Sequence, residues 1–278
     1  MGSFRHHGQR IVYDDFGEGG RAIVLIHGLL MNRRMYDRLA PEMVAHGNRV
    51  ITVDLLGHGE SDGPEDMRVY GMRSFSDQVV GLLDALGLDQ AVIGGTSLGA
   101  NVSLTFATRY PERARGLFIE MPVLENGLLG AALAFTPILL TLRFGQPILR
   151  PVAAVANRIP RTHYLVDIWL DWLRRDPARS RAVLEGVLYG RTAPRHDERE
   201  LIDQPALIIG HPADPLHPFS DAGNLAEELP NGRLVDANSI IEWRVRPDRL
   251  NGELARFLDE VYAEPAAAPL REARSASA

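Results

Sequence analysis

"QAVIGGTSLGA", residues 90–100, decides the fold. Its first half is a short apolar run suited to a buried strand. The residues after Ser97 take up a helical pattern that continues to Tyr110. Between them, Gly95-Thr96-Ser97-Leu98-Gly99 spells G-x-S-x-G. Five residues alone are a weak signal. At a strand-to-helix turn they specify a serine held in a strained conformation above the sheet, at the positive end of a helix. The flanking glycines are needed because strand and helix backbones approach closely there. The competing reading is a glycine-rich turn without chemistry.

Working outward, the same strand form recurs at 10–17, 22–28, 49–57, 115–122, 205–214 and 232–237. Helical patterns fall between them, near 34–46, 74–86, 98–110, 220–229 and 247–262. Such alternation predicts an α/β fold with a mostly parallel sheet flanked by helices. The alternation breaks between Met121 and Gln204, where helical stretches, prolines and the aromatics Trp169 and Trp172 occur. We therefore expect a core of 1–120 and 205–262, a helical cap insertion over 121–204, and a disordered tail over 263–278, which is rich in Ala, Pro, Ser and Arg.

Composition narrows the function classes. The chain has 278 residues, 45% of them hydrophobic, and a net charge of −6. No basic stripe offers a nucleic-acid footprint. There is no cysteine, so disulfides, thiolate metal sites and a cysteine nucleophile are excluded. The N-terminus "MGSFRHHGQR" lacks the apolar run of a secretory signal, which predicts a cytoplasmic location. His6-His7 reads as a mobile terminal pair without further metal ligands. Gly94-Gly95-x-x-x-Gly99 lacks the dinucleotide spacing and the phosphate-loop lysine, so no cofactor is expected. The apolar run at 128–142 is too short to span a bilayer and is interrupted by Pro137. It reads as a buried or pocket-lining helix pair with no stable membrane insertion, and a lid that touches lipid is left open. Oligomeric state is likewise left open, a homodimer included.

These motifs together resemble the α/β-hydrolase fold superfamily in its cap-bearing branch. "HGLL" (27–30) resembles the family's oxyanion turn, and "DLLGHGESD" (54–62) its loop after the fourth strand. "GHPADPLHP" (210–218) resembles the loop that supplies the triad acid. The resemblance implies Ser97 as nucleophile, the amides of Leu29 and Leu98 as oxyanion hole, and Asp214 as the acid behind a histidine. His27 and His58 read as loop-holding residues.

The family's histidine follows the last strand, about seven residues before the proline of the final helix. Counting back from Pro247 lands on Ile240, and no histidine follows His217. The loop's usual glycines are missing too. A serine hydroxyl is a weak nucleophile without an adjacent base. His217, three residues beyond Asp214, is the expected replacement, with His211 a poorer candidate. Glu242 is the alternative base, its pKa to be raised by burial near Trp243. His163 from the cap, or no base at all, complete the readings. The cap's leucines and aromatics imply an apolar small-molecule substrate. The expected function is hydrolysis of an apolar ester, lactone or thioester through an acyl-enzyme. The alternative is a non-hydrolytic or ligand-binding member of the fold.

Overall fold

The computed structural model describes residues 1–160, 167, 170–171, 173–214, 216–239 and 242–263. Its centre is one sheet of eight strands in the order β1-β2-β4-β3-β5-β6-β7-β8. β1 (Gly2–His6) and β2 (Gln9–Phe16) form an antiparallel hairpin, and β2 runs antiparallel to β4. β3 (Ala22–Ile26), β4 (Arg49–Asp54), β5 (Ala91–Thr96), β6 (Ala114–Glu120), β7 (Ala206–Gly210) and β8 (Gly232–Asp236) run parallel. Every residue of β3, β5 and β7 is buried. Strands covered on both faces read as continuous apolar runs rather than alternating ones, which is the pattern the sequence carries.

Helices cover the two faces. α1 (Leu39–Ala45), α2 (Met72–Ala85) and α3 (Leu98–Arg109) follow β3, β4 and β5. α4 (Leu128–Phe144), α5 (Gln146–Ala156), α6 (Pro177–Leu188) and the short α7 (His196–Arg199) lie between β6 and β7. α8 (Phe219–Glu228) joins β7 to β8, and α9 (Glu242–Val245) and α10 (Asp248–Ala263) close the chain. Alternate strand residues divide the core. Val24 and Ile26 pack with Phe75 of α2 and Leu104 of α3. Ile23 and Leu25 pack on the other face with Met43 of α1 and Leu254 of α10.

Two expectations are corrected here. His6 and His7 are not a loose terminal pair. His6 ends β1, and His7 and Gly8 make the two-residue turn, both with positive φ (47° and 80°), the geometry that matches the twist of a hairpin. Pro137 does not interrupt its helix either, since α4 continues through it. His163, Trp169 and Trp172 lie outside the described residues, as does the tail from 264 onward.

Candidate active site

β5 ends at Thr96 and α3 begins at Leu98, leaving Ser97 as the single residue of the turn. Its φ of 54° and ψ of −105° are costly for a non-glycine residue, by about 1–3 kcal/mol. The surroundings enforce the conformation. The Ser97 N–H donates to Glu120 O at 2.9 Å, and its carbonyl accepts the Asn101 N–H at 3.1 Å. A Cβ on Gly95 or Gly99 would sit 2.1 or 1.9 Å from Ile26 O, so only glycine lets β3, β5 and α3 meet here.

The loop after β7 brings a histidine to this serine. His217 Nε2 lies 2.9 Å from Ser97 Oγ. His217 Nδ1 lies 2.9 Å from Asp214 Oδ2, and Asp214 Oδ1 accepts the backbone N–H groups of Leu216 and His217 at 2.8 and 3.0 Å. One carboxylate therefore shapes its own loop and orients the ring. Burial works to raise the Asp214 pKa, but His217 and the two amides outweigh it and hold it down to about 2. Above that value Asp214 is a carboxylate. With Nδ1–H directed at it, Nε2 of a neutral ring is free to accept the serine proton.

The neighbouring groups fall into place around this line. The Leu98 amide opens α3, where first-turn N–H groups lack an intrahelical partner. Leu29 lies three residues beyond the end of β3, and both leucines border the same cavity as Ser97. That cavity, of about 220 Å3, is also lined by Met72, Leu128, Ala131, Ala132 and Phe135, with no charged side chain among its described lining residues. A second cavity of about 270 Å3, beside Arg34, Arg174, Arg175 and Arg179, does not include Ser97.

The other candidate bases are engaged elsewhere. Glu242 accepts from Arg249 Nε and Nη2 at 2.8 and 2.9 Å and from Asn238. The Arg249 guanidinium holds its pKa down to about 2, opposite to the upward shift a carboxylate base requires. The expectation that Trp243 would desolvate Glu242 is thus corrected: ion pairing outweighs burial. His211 lies 3.3 Å from Glu120 Oε1 through Nε2, and its Nδ1 lies 3.1 Å from Ser239 O. His27 accepts the Leu55 N–H at Nε2 (3.1 Å), with Nδ1 2.8 Å from Gly28 O, and His58 Nδ1 lies 3.1 Å from Leu56 O. Both rings are buried, and burial holds both well below the ordinary histidine pKa, His27 at about 4.

Three supporting groups escaped the sequence. Glu120 is buried beneath the elbow, hydrogen-bonded by Thr96 and near His211 and Arg244 (3.4 Å). Burial would raise its pKa, but Arg244 and His211 hold it down to about 2. Asn101 of α3 binds Val123 and Thr192, and buried Asp221 accepts the amides of Leu124, Asn126 and Gly127 at 2.7, 3.1 and 2.9 Å. Asn101 ties the chain leaving β6 to the elbow helix, and Asp221 ties it to the start of α8. Glu at a strand end, Asn in a helix and Asp in a first turn carry no motif, so only the tertiary structure reveals them. Among the described residues no group of His, Asp and Glu is arranged to hold a metal ion.

Comparison with known proteins agrees with this architecture. The α/β hydrolase fold family profile matches residues 21–145. AB hydrolase superfamily protein YisY of Bacillus subtilis is 33% identical over 265 residues, spanning 88% of this chain and 93% of that protein. Epoxide hydrolase B of Mycobacterium tuberculosis is 32% identical over 112 residues, 40% of this chain and only 32% of that protein. The enol-lactonase from Burkholderia xenovorans LB400 superposes with a TM-score of 0.74 at 22% identity, covering 93% of this chain and 100% of that one. These relatives support hydrolase activity, and the chain belongs to the α/β hydrolase fold family.

Proposed function

We propose that this protein is a serine hydrolase acting on an apolar ester, lactone or thioester, with His217 as its base. The observation that carries the proposal is the unbroken line from Ser97 Oγ through the His217 ring to Asp214, with both contacts at 2.9 Å. In the acylation step Ser97 Oγ bonds to the substrate carbonyl carbon as its proton passes to His217 Nε2. The carbonyl π electrons move to oxygen, and the Leu29 and Leu98 amides receive that oxyanion. Each such donor is worth ~3 kcal/mol of barrier. Asp214 stabilises the imidazolium without taking its proton. Collapse of the intermediate breaks the bond to the leaving alcohol or thiol, which takes the proton from His217. Water then repeats the sequence against the acyl-enzyme and regenerates Ser97.

The cavity favours a neutral acyl group, because it offers no cation to a substrate carboxylate among its described lining residues. The enol-lactonase and epoxide hydrolase names of the relatives are compatible with an apolar substrate without selecting one. A cap formed by 121–204 would exclude water from the acyl-enzyme step and strengthen the electrostatics at Ser97. The ligand-binding alternative lacks a comparable observation, since binding alone does not require an elbow serine aligned on a histidine.

The test is fluorophosphonate labelling read by intact mass. Wild type and Glu242→Gln should label at the same rate. Ser97→Ala should not label at all, and His217→Ala should label slower by about three orders of magnitude or more, because nucleophile and base act as a unit. Equal labelling of wild type and His217→Ala removes His217 from the mechanism. No labelling of wild type favours the binding reading.

A further inference from the structure

We propose that the outer face of α4 and α5 docks on an anionic phospholipid surface. On the 3.6-residue repeat, Leu129, Leu133, Leu140 and Phe144 of α4 fall within an arc of about 60°. Ile148, Val152 and Val155 of α5 share one face in the same way. These side chains are open to solvent: Leu129 is 70% exposed, Leu133 67%, Phe144 73% and Ile148 71%. The opposite side of α4 is occupied. Leu139 and Leu142 pack on Leu184 of α6, and Leu128, Ala131 and Phe135 border the Ser97 cavity. An apolar stripe of this size on an otherwise packed helix marks an interaction surface.

Charge identifies the partner. The chain carries −6 overall, yet residues 126–160 contain three arginines, Arg143, Arg150 and Arg158, and no Asp or Glu. All three arginines are exposed. Arg143 pairs with Glu185 of α6 at 3.5 Å, and Arg150 and Arg158 carry the remaining positive charge. Apolar residues flanked by such cations are what the headgroup region of an anionic bilayer accepts. The geometry favours a surface contact over a straight span. No single described helix is long and apolar enough to cross a membrane, and α4 and α5 meet at 96°. A bent pair with one face buried in its own protein lies in the interface plane. A second copy of the chain fits less well, because a twofold contact sets two patches of the same positive sign against each other.

The inference does not depend on hydrolysis, so its test reads binding alone. The full-length protein is sedimented with vesicles of phosphatidylcholine, or of phosphatidylcholine mixed with phosphatidylglycerol, at low and high salt. The expected result is binding to the mixed vesicles only, weakened by salt. Each arginine near such a surface is worth roughly fivefold in partition, so Arg150→Gln with Arg158→Gln should lower binding by about 25-fold. Leu129→Ser with Phe144→Ser should abolish it while leaving the circular-dichroism melt unchanged. Equal binding to both vesicle types overturns the electrostatic argument. No binding, whether the protein stays monomeric or forms a dimer that Leu129→Ser with Phe144→Ser disrupts, overturns the lipid assignment. If the variants do not fold, the wild-type comparison of two vesicle compositions decides the matter.

Discussion

Acid should destabilise this protein through a residue that takes no part in the proposed chemistry. His27 is fully buried at the start of the loop that leaves β3. Its Nε2 accepts the Leu55 N–H, which places the single ring proton on Nδ1, facing Gly28 O. A second proton would displace that amide and leave a charge in the core. Burial therefore lowers the His27 pKa from 6.5 to about 4. The unfolded chain binds the proton more readily than the folded one. The stabilisation from neutral His27 is therefore complete above about pH 6.5 and is lost as pH falls toward 4. At ~1.4 kcal/mol per pH unit, the loss amounts to ~3 kcal/mol. Urea unfolding of wild type and His27→Gln, followed from neutral pH down to about pH 4.5, isolates the effect, because every other titrating group is common to both. Wild type should start more stable, and its advantage should shrink by about 2–3 kcal/mol over the series. Parallel stability curves would refute the reasoning, since they would mean that His27 gains its second proton as easily folded as unfolded.

Other perturbations test the site's construction. Asp221→Ala removes the acceptor of three backbone amides, and at ~1–3 kcal/mol per orphaned group the folding free energy should fall by about 3 kcal/mol or more; an unchanged Tm would deny Asp221 its anchoring role. Gly99→Ala puts a methyl group where Ile26 O already sits, so α3 must retreat from β3 at a cost of about 1–3 kcal/mol, and labelling of Ser97 should drop further than stability does. Ala131→Trp should fill part of the Ser97 cavity, raising KM for long-chain p-nitrophenyl esters by about tenfold or more with little change for the acetate; equal effects on both esters would place the acyl group elsewhere.

How much of this was legible depended on whether local chemistry or tertiary packing fixed each feature. The elbow was legible because strand, glycines, serine and helix are contiguous, and their sterics are local. The sheet was legible because strands buried on both faces are written as unbroken apolar runs. β1 was not, since "GSFRH" is short, half polar and at the chain's edge, where pairing with β2 rather than composition makes it a strand. Glu242 beside Trp243 suggested a desolvated carboxylate. Arg249, seven residues on, turned it into an ion pair, a contact that depends on how α9 and α10 meet. The exposed stripe of α4 and α5 was hidden for a similar reason. An apolar helix reads the same whether it is covered or bare, and only the fold decides.

The placement of Asp214 and His217, the proposed acid and base, on one loop has a mechanical consequence. Where the two come from separate loops, either can drift and leave the other in place. Here Asp214 accepts amides of Leu216 and His217 and the ring of His217 together, so loop shape and ring orientation are set by the same carboxylate. Asp214→Asn, which exchanges one acceptor oxygen for an amide donor, should therefore do two things at once. It should disfavour the Nδ1–H tautomer that leaves Nε2 free, and it should loosen the turn that carries the ring to Ser97. An orienting role alone predicts a slow enzyme with an ordered loop. The shared role predicts slow labelling of Ser97 together with faster proteolytic cleavage near residues 214–217, and uncut protein with slow labelling would reduce Asp214 to the orienting part. The segment after β8 carries no histidine. Ser239 O lies near His211, and α9 places Arg244 near Glu120. Those contacts support the floor of the elbow through Glu120, whose carbonyl holds the Ser97 amide.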